Sequence, residues 1–400
     1  MPQLTARAAR TSLAATFAMA AKARALRAAG RDVISLSLGE PDFPTPPHVI
    51  AAAHAAALRG ETKYPPLAGT AALKDAVRRK YLRDQKLAVP DQDILITNGG
   101  KQAIFNVVMA LVEAGDEVII PAPAWAGYEQ TVQFAGGQTV YVPCPQTQNF
   151  VLQPEALDAA ITPRAKLLIL NYPNNPTGAA CNAAALAALA EVLRRHPGLW
   201  VLADDIYEHL LFDGFSYATL AAVAPDLAGR IITITGVSKT YAMTGWRIGF
   251  CAAPRALIPA LTVVQATATS GVSSIGQAAA AAALDGPQDF LAPQVAAYQS
   301  RRDMVVAALS FVPGLACHQP NGAFYLFPSV AGCLGKTTPE GRHIGSDADF
   351  SEALLEEALV AVVPGAAFAA SPHIRISTAA AAADLTRACA RIADFCAALK

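Results

Sequence analysis

The 400-residue chain reads as an α/β protein, with a mostly parallel, doubly wound sheet in a large domain and a smaller α+β domain beside it. Two observations predict this. Through the middle of the chain, near-continuous apolar runs alternate with helical patterns, as expected for strands buried on both faces by helices. After residue 288 the texture changes to mixed strand, loop and helix pieces. The large domain is placed at residues 50–288, and residues 1–49 and 289–400 form the small domain.

The elements follow in chain order. Arg7 and Arg10 precede an apolar stretch, Ser12 to Ala21, that mimics a secretion signal. It has no leucine run and continues into Lys22, Arg24, Leu26 and Arg27, so an amphipathic helix of a cytoplasmic protein is expected instead. Candidate strands are Ile94–Thr97, Glu117–Ile120, Thr139–Val142, Lys166–Leu170, Leu199–Ala203, Ile231–Thr235 and Ile248–Ala252, the last as a place for one antiparallel strand. Helices at Lys101–Glu113 and Ala183–Arg195 separate some of them. In the small domain a helix at Val295–Leu309 leads through Ala323–Pro328 to a Gly- and Thr-rich loop, Gly332 to Ser346. A helix at Ala348–Ala358, strands at Val360–Val363 and His373–Ser377 and a final helix complete the chain.

Composition excludes several classes of function. The 31 basic and 31 acidic residues cancel, which argues against attraction to nucleic acid or anionic lipid. A mean hydropathy of +0.32 owes much to alanine, and no strongly apolar run is long enough to span a membrane. Seven scattered cysteines without a C-x-x-C pair read as apolar packing residues of a reducing compartment, with no metal site. Gly335-Lys336-Thr337 and Gly99-Gly100-Lys101 lack the first glycine of a phosphate-binding loop, where Val330 and Leu95 stand.

Ligands of an open parallel sheet sit beyond the carboxyl ends of its strands. Three candidate strands end in chemically capable residues. One runs into Asn171-Tyr172-Pro173-Asn174-Asn175-Pro176-Thr177-Gly178, another into Asp204-Asp205-Ile206-Tyr207, and the third into Gly236-Val237-Ser238-Lys239 and on to Arg247. Singly, each has a plain structural explanation: a turn, a helix cap, a solvated cation. If the strands are neighbours, Asn175, Asp204, Tyr207, Lys239 and Arg247 converge on one edge.

In order and spacing these segments resemble the fold-type I, pyridoxal-phosphate-dependent aminotransferases of class I/II, in the branch of the bacterial aspartate aminotransferases. The resemblance covers nearly the whole chain. It runs through Ser37-Leu38-Gly39-Glu40-Pro41-Asp42-Phe43, Tyr64-Pro65-Pro66-Leu67-Ala68-Gly69, Thr97-Asn98-Gly99-Gly100-Lys101-Gln102 and Pro121-Ala122-Pro123-Ala124-Trp125, and ends in Asn321-Gly322-Ala323-Phe324-Tyr325 and Arg375-Ile376-Ser377.

The resemblance implies pyridoxal 5'-phosphate as cofactor and a role for each matching residue. Lys239 would hold the cofactor covalently and, once released by substrate, shuttle a proton. Asp204 would pair with the pyridine nitrogen so that the ring draws electrons. Tyr207 and Asn175 would bond the phenolic oxygen, and Trp125 would stack on the ring. Arg247, Ser238 and the backbone of Gly99, Gly100 and Lys101 would bind the phosphate. Tyr64 would reach the phosphate of a neighbouring subunit, which implies a homodimer with shared sites. Arg375 would grip the substrate α-carboxylate, helped by Asn175 and Gly39.

Lys101 matches a lysine implicated in binding the distal carboxylate, so aspartate with 2-oxoglutarate as acceptor leads the substrate expectations. Relatives that transaminate prephenate use an arginine near the N-terminus, and Arg10 with Thr16 matches those places loosely. Ala124, Asp205, Gly236 and Thr378-Ala379-Ala380 depart from the common pattern, and smaller residues would admit aromatic or small neutral amino acids. A lyase or synthase of the same fold is the second enzyme reading. A regulator's sensor domain would need a DNA-binding segment that the first 38 residues are too few to supply.

Overall fold

The computed structural model describes Thr5, Ala8 and residues 15–400. The expectations placed on Arg7, Arg10 and the Thr16 side chain fall outside this description. The strands in chain order are β1 (Ile34–Ser35), β2 (Ile94–Thr97), β3 (Glu117–Ala122), β4 (Gln138–Pro143), β5 (Ala165–Asn171) and β6 (Trp200–Asp204), then β7 (Ile231–Gly236), β8 (Gly249–Ala252), β9 (Tyr325–Leu326), β10 (Val360–Ala361), β11 (Val363–Pro364) and β12 (Ile374–Ser377).

Seven of them form one sheet in the order β2-β8-β7-β6-β5-β3-β4. The pairs from β4 through β7 are parallel, while β8 is antiparallel to both β2 and β7, as expected of the run near Ile248. Alternation along each strand explains the double layer. Leu168 and Leu170 pack on one face with Leu189 and Leu193 of helix Ala183–Arg195. Leu167 and Ile169 pack on the other with Ile104 and Val108 of helix Gly100–Leu111. Asn182 starts the first of these helices by accepting from the Ala185 N–H, and Arg194 and Arg195 sit in its last turn, where cations suit the helix dipole.

A separate apolar core joins the chain's two ends. Leu36 and Ile34 meet Val305, Phe350, Leu354, Ile374, Ile376 and Ile392, drawn from both sides of the large sheet's sequence. Two expectations for this region are corrected. The run Val360–Val363 is two strands, because β10 pairs with β1 whereas β11 pairs with β12, so the chain changes partner at Val362. The helix expected from Val295 begins at Leu291, since Pro293 lies in the first turn, where its missing N–H costs nothing.

Among the described residues, no helix is long and apolar enough to cross a membrane, and no group of His, Cys, Asp or Glu could hold a metal ion. All seven cysteines are free and all but Cys317 are buried.

Beneath the carboxyl ends of β6 and β7 lies an ionic cluster that sequence reading passed over. Glu208, in the turn after β6, accepts from Thr235 Oγ1 of β7 at 2.9 Å and pairs with Lys80 of helix Ala71–Gln85. Burial raises the Glu208 pKa, but Lys80 and His209 outweigh it and the net shift is downward. Its contribution to stability is therefore present above the ordinary glutamate range and is lost as pH falls through the lowered value. Removing one partner strands the other charge in the interior. Lys80→Ala is expected to lower unfolding stability by about 3 kcal/mol in urea titrations at pH 7. The loss should shrink at acid pH, where Glu208 is neutralised; an unchanged midpoint at pH 7 would refute the pairing.

Candidate active site

The register of the central strands brings the chemistry together. Asn171 at the end of β5 lies opposite Asp204 at the end of β6, which lies opposite Ile234 near the end of β7. Each strand then turns off the sheet on the same side. The Asn171 side chain spans the first junction, donating from Nδ2 to the Asp204 carbonyl at 2.8 Å and accepting from the Asn175 N–H at 2.9 Å. The turn Asn174–Thr177 is closed by the Thr177 N–H and hydroxyl donating to Asn174 Oδ1.

Asp204 is buried, and burial pushes its carboxyl up to about 6. Tyr128 donates its hydroxyl to Oδ2 at 2.6 Å, and the Ile206 N–H approaches Oδ1 at 3.4 Å. Lys239, three residues past β7, donates Nζ to the Gly39 carbonyl at 2.6 Å and lies 5.9 Å from the centroids of Tyr207 and Phe324. Burial, then the nearby Arg375 cation, push the Lys239 ammonium down to about 8. The Tyr207 hydroxyl is 2.7 Å from that of Tyr325.

Arg375 arrives from the small sheet, on β12. It is buried, with Nη1 donating to Asn175 Oδ1 at 3.0 Å and Nη2 to the Ser37 carbonyl at 2.5 Å. The rings of Tyr325 and Phe368 lie 4.7 Å and 5.1 Å from its guanidinium carbon. Its Nε is buried without a partner, an unmet donor of the kind a bound carboxylate satisfies.

An anion cradle sits at the start of helix Gly100–Leu111. Gly99 caps it at φ 81°, and no side chain occupies the free N–H groups. A methyl group at Gly99 would run into the Arg247 guanidinium. Arg247 itself is held at φ 59°, a left-handed conformation costing about 1 kcal/mol, with Nη1 donating to the Thr244 carbonyl at 2.9 Å. Ser238 is buried, and exposed Lys101 follows Gly100 in the first turn of the helix, its Nζ 5.5 Å from the Trp125 ring centroid. The backbone donors, the guanidinium and the adjoining carboxylate and amine fit pyridoxal phosphate as a donor set: a doubly charged phosphate at one end and a ring nitrogen and aldehyde at the other.

The order of these segments has a direct counterpart in known proteins. Residues 31–392 match the family model "Aminotransferase class I and II". The chain belongs to that family. This aminotransferase is 51% identical over 376 residues to an aspartate aminotransferase of Rhizobium meliloti (strain 1021), covering 94% of this chain and 92% of that protein. It is 50% identical over 391 residues to an aspartate/prephenate aminotransferase of Cereibacter sphaeroides, covering 98% of each. A crystal structure of the Rhizobium meliloti aspartate aminotransferase superposes with a TM-score of 0.97 at 49% identity, over 100% of both chains. The aspartate aminotransferase of Thermus thermophilus with maleate gives 0.92 at 38% identity, over 99% of this chain and 100% of that one. The fold is thus fold type I, and the enzyme is pyridoxal-phosphate-dependent.

Of the residues named from sequence, Asn175, Asp204, Tyr207, Lys239 and Arg375 are linked through the contacts above, with Gly39 bonded to Lys239. Gly99, Gly100 and Arg247 meet at the helix start, Ser238 is buried in the loop that carries Lys239, and Lys101 and Trp125 stand together. Tyr64 is 94% exposed and touches none of them within one chain. Sequence reading missed Tyr128, and it quoted Tyr325, Asn171 and Ser37 within motifs without giving them a role. Tyr128 had a signal, lying three residues after Trp125 at the start of a helix; Ser37 acts through its carbonyl, which carries none.

The depressed Lys239 ammonium yields a pH prediction. In aminotransferase stripped of cofactor, acylation of Lys239 by an amine-directed reagent should rise through a midpoint near pH 8, against about 10.4 for solvated lysines. Peptide mapping of the label across pH measures it; a midpoint at the solvated value would show that the amine is not desolvated.

Proposed function

We propose that this aminotransferase takes L-aspartate as amino donor and 2-oxoglutarate as acceptor, giving oxaloacetate and L-glutamate by a ping-pong mechanism. The observation that carries this reading is the buried Arg375 fork with its unmet Nε donor, next to the desolvated Lys239 amine. Arg375 would bind the substrate α-carboxylate, with Asn175 orienting the guanidinium from its Oδ1. This leaves the Asn175 amide nitrogen and the Tyr207 hydroxyl as donors to the cofactor's phenolic oxygen. Lys239, neutral once its proton is lost, would be the base that takes the proton from the substrate α-carbon. Asp204, as carboxylate, would pair with the ring nitrogen, and Trp125 would cover the ring. Arg247, Ser238 and the Gly99-Gly100-Lys101 backbone would bind the phosphate. Bound pyridoxal phosphate supplies an electron-withdrawing ring that stabilises negative charge at the α-carbon.

Lys101 beside Trp125 places a cation at the mouth of the site for a distal carboxylate. Maleate, bound by the Thermus thermophilus relative, is a four-carbon dicarboxylate and supports an acidic substrate. The name of the Cereibacter sphaeroides relative makes prephenate the second reading.

The domain reading is proposed with it. Residues 50–288 form the large domain, and residues 1–49 and 289–400 a small domain that closes over the site, carrying Gly39 and Arg375 to it. A cytoplasmic homodimer with shared sites is proposed as well; the dimer is supported by the exposed Tyr64 and the exposed apolar side chains of Leu58, Leu67 and Val263. The Gln265 side chain ties the Leu67 carbonyl to the helix that bears Val263.

Several measurements test the reading. Mixing the holoenzyme with aspartate or glutamate should convert the cofactor absorbance to that of its amine form, and borohydride should fix cofactor to wild type but not to Lys239→Ala. Inertness to aspartate with turnover of aromatic or small neutral amino acids would overturn the assignment. Arg375→Ala should cost on the order of 100-fold in kcat/KM, since a charged hydrogen-bonded pair is worth about 3 kcal/mol. For the dimer, mixing Tyr64→Ala chains with Lys239→Ala chains should restore activity above either alone, because one site of each mixed dimer then joins an intact Lys239 to an intact tyrosine from the other chain. Sedimentation should give twice the chain mass, and a monomer with full activity would exclude shared sites.

A further inference from the structure

Asp204 poses an electrostatic problem that its own strand does not solve. Its carboxylate is buried at the end of a parallel sheet, where burial disfavours the charged form. The groups facing it are Lys239 from the loop after β7, Tyr207 and the like-charged Asp205 from its own turn, and Tyr128 from helix Gly127–Ala135. Tyr128 alone among these side chains gives it a short hydrogen bond, hydroxyl to Oδ2 at 2.6 Å.

The Tyr128 ring is fixed from several directions. It is buried among Ile120, Ala124 and Ile169. Its N–H donates to the Trp125 carbonyl at 3.1 Å, and its ring stands perpendicular to that of Trp125 at 5.2 Å. Gly127 makes this turn possible, because a methyl group there would run into the Trp125 ring. One helix start therefore sets both the indole that would cover the cofactor and the phenol that faces Asp204. Burial and the neighbouring carboxylate raise the phenol's own pKa, which keeps it a donor at every working pH.

We propose that Tyr128 is a positioning residue that holds Asp204 in its ionised form and fixes the orientation of its carboxylate toward the cofactor's ring nitrogen. The proposal rests on the reading of Asp204 as that nitrogen's partner. Tyr128 touches neither substrate nor cofactor; it acts through Asp204. The departure of its hydroxyl would leave the carboxylate with the distant Ile206 N–H and the Lys239 charge, and a tenfold weaker hold on the ionised form moves its titration up by about one pH unit.

The test uses reconstituted holoenzymes of wild type, Tyr128→Phe, Tyr128→His and Asp204→Asn. In each, cofactor affinity and the pH titration of the bound cofactor's absorbance are measured, with kcat and KM for the amino donor. Tyr128→Phe is expected to weaken cofactor binding about tenfold, the worth of one charge-assisted hydrogen bond. It should shift the absorbance titration in the same direction as Asp204→Asn and lower kcat with KM nearly unchanged. Tyr128→His, which can still donate, should recover part of each effect. The proposal is overturned if Tyr128→Phe keeps the wild-type titration and affinity while Asp204→Asn loses them. It is overturned equally if the Phe and His variants behave alike, for then only ring packing matters. An unaltered titration in Asp204→Asn itself would instead sink the reading of Asp204, a result distinguishable from both.

Discussion

The site depends on keeping charges where water has little access. Asp204 and Arg375 are buried and Lys239 partly so, and each is displaced from its ordinary pKa in the direction burial dictates. Nothing in the sheet alone would tolerate that. The carboxylate survives because a phenol and a backbone N–H point at it, the arginine because two carbonyl-type oxygens accept from it, and the amine because its proton is easily lost. Unequal satisfaction of the three is what makes them useful: one fixed anion, one fixed cation with a donor to spare, and one group ready to exchange a proton.

The scaffold's part is to make these positions coincide. Parallel strands in register deliver Asn171, Asp204 and Ile234 side by side, so the loops that follow leave the sheet together. The antiparallel β8 returns the chain beside β7 and brings Arg247 under the helix start at Gly99. The buried Lys80–Glu208 pair braces the turn that carries Tyr207 against the end of β7 that leads to Lys239. A second, smaller core then carries Arg375 and the Ser37–Gly39 segment over the sheet edge, where Lys239 bonds the Gly39 carbonyl.

The aminotransferase site is thus assembled from segments as far apart as Ser37 and Arg375, separated by 338 positions and joined by one hydrogen bond. Much of it was legible because the residues that perform the chemistry must be particular types at strand ends, and their order is unaffected by how the loops pack. Strand positions were legible for a related reason: in a sheet covered on both faces, the central strands are mostly apolar on both sides, and such runs stand out. The small domain was harder. Val360–Val363 is one apolar run in sequence, and only its neighbours decide that it serves two sheets.

By itself the sequence determined the fold class, the cofactor and the order in which the candidate residues occur, because strand and helix alternation and the family resemblance of the motifs carry all three. Tertiary structure decided what those residues meet. Neither Tyr128 nor Tyr325 announces a role in the linear chain, since an aromatic at a buried position is ordinary packing until its hydroxyl has a partner. Nor does spacing say that Arg375 keeps one N–H unpaired or that Lys239 is desolvated. Hydrogen bonds and burial are properties of positions in space, and those come into being only when distant segments close around the same few ångströms.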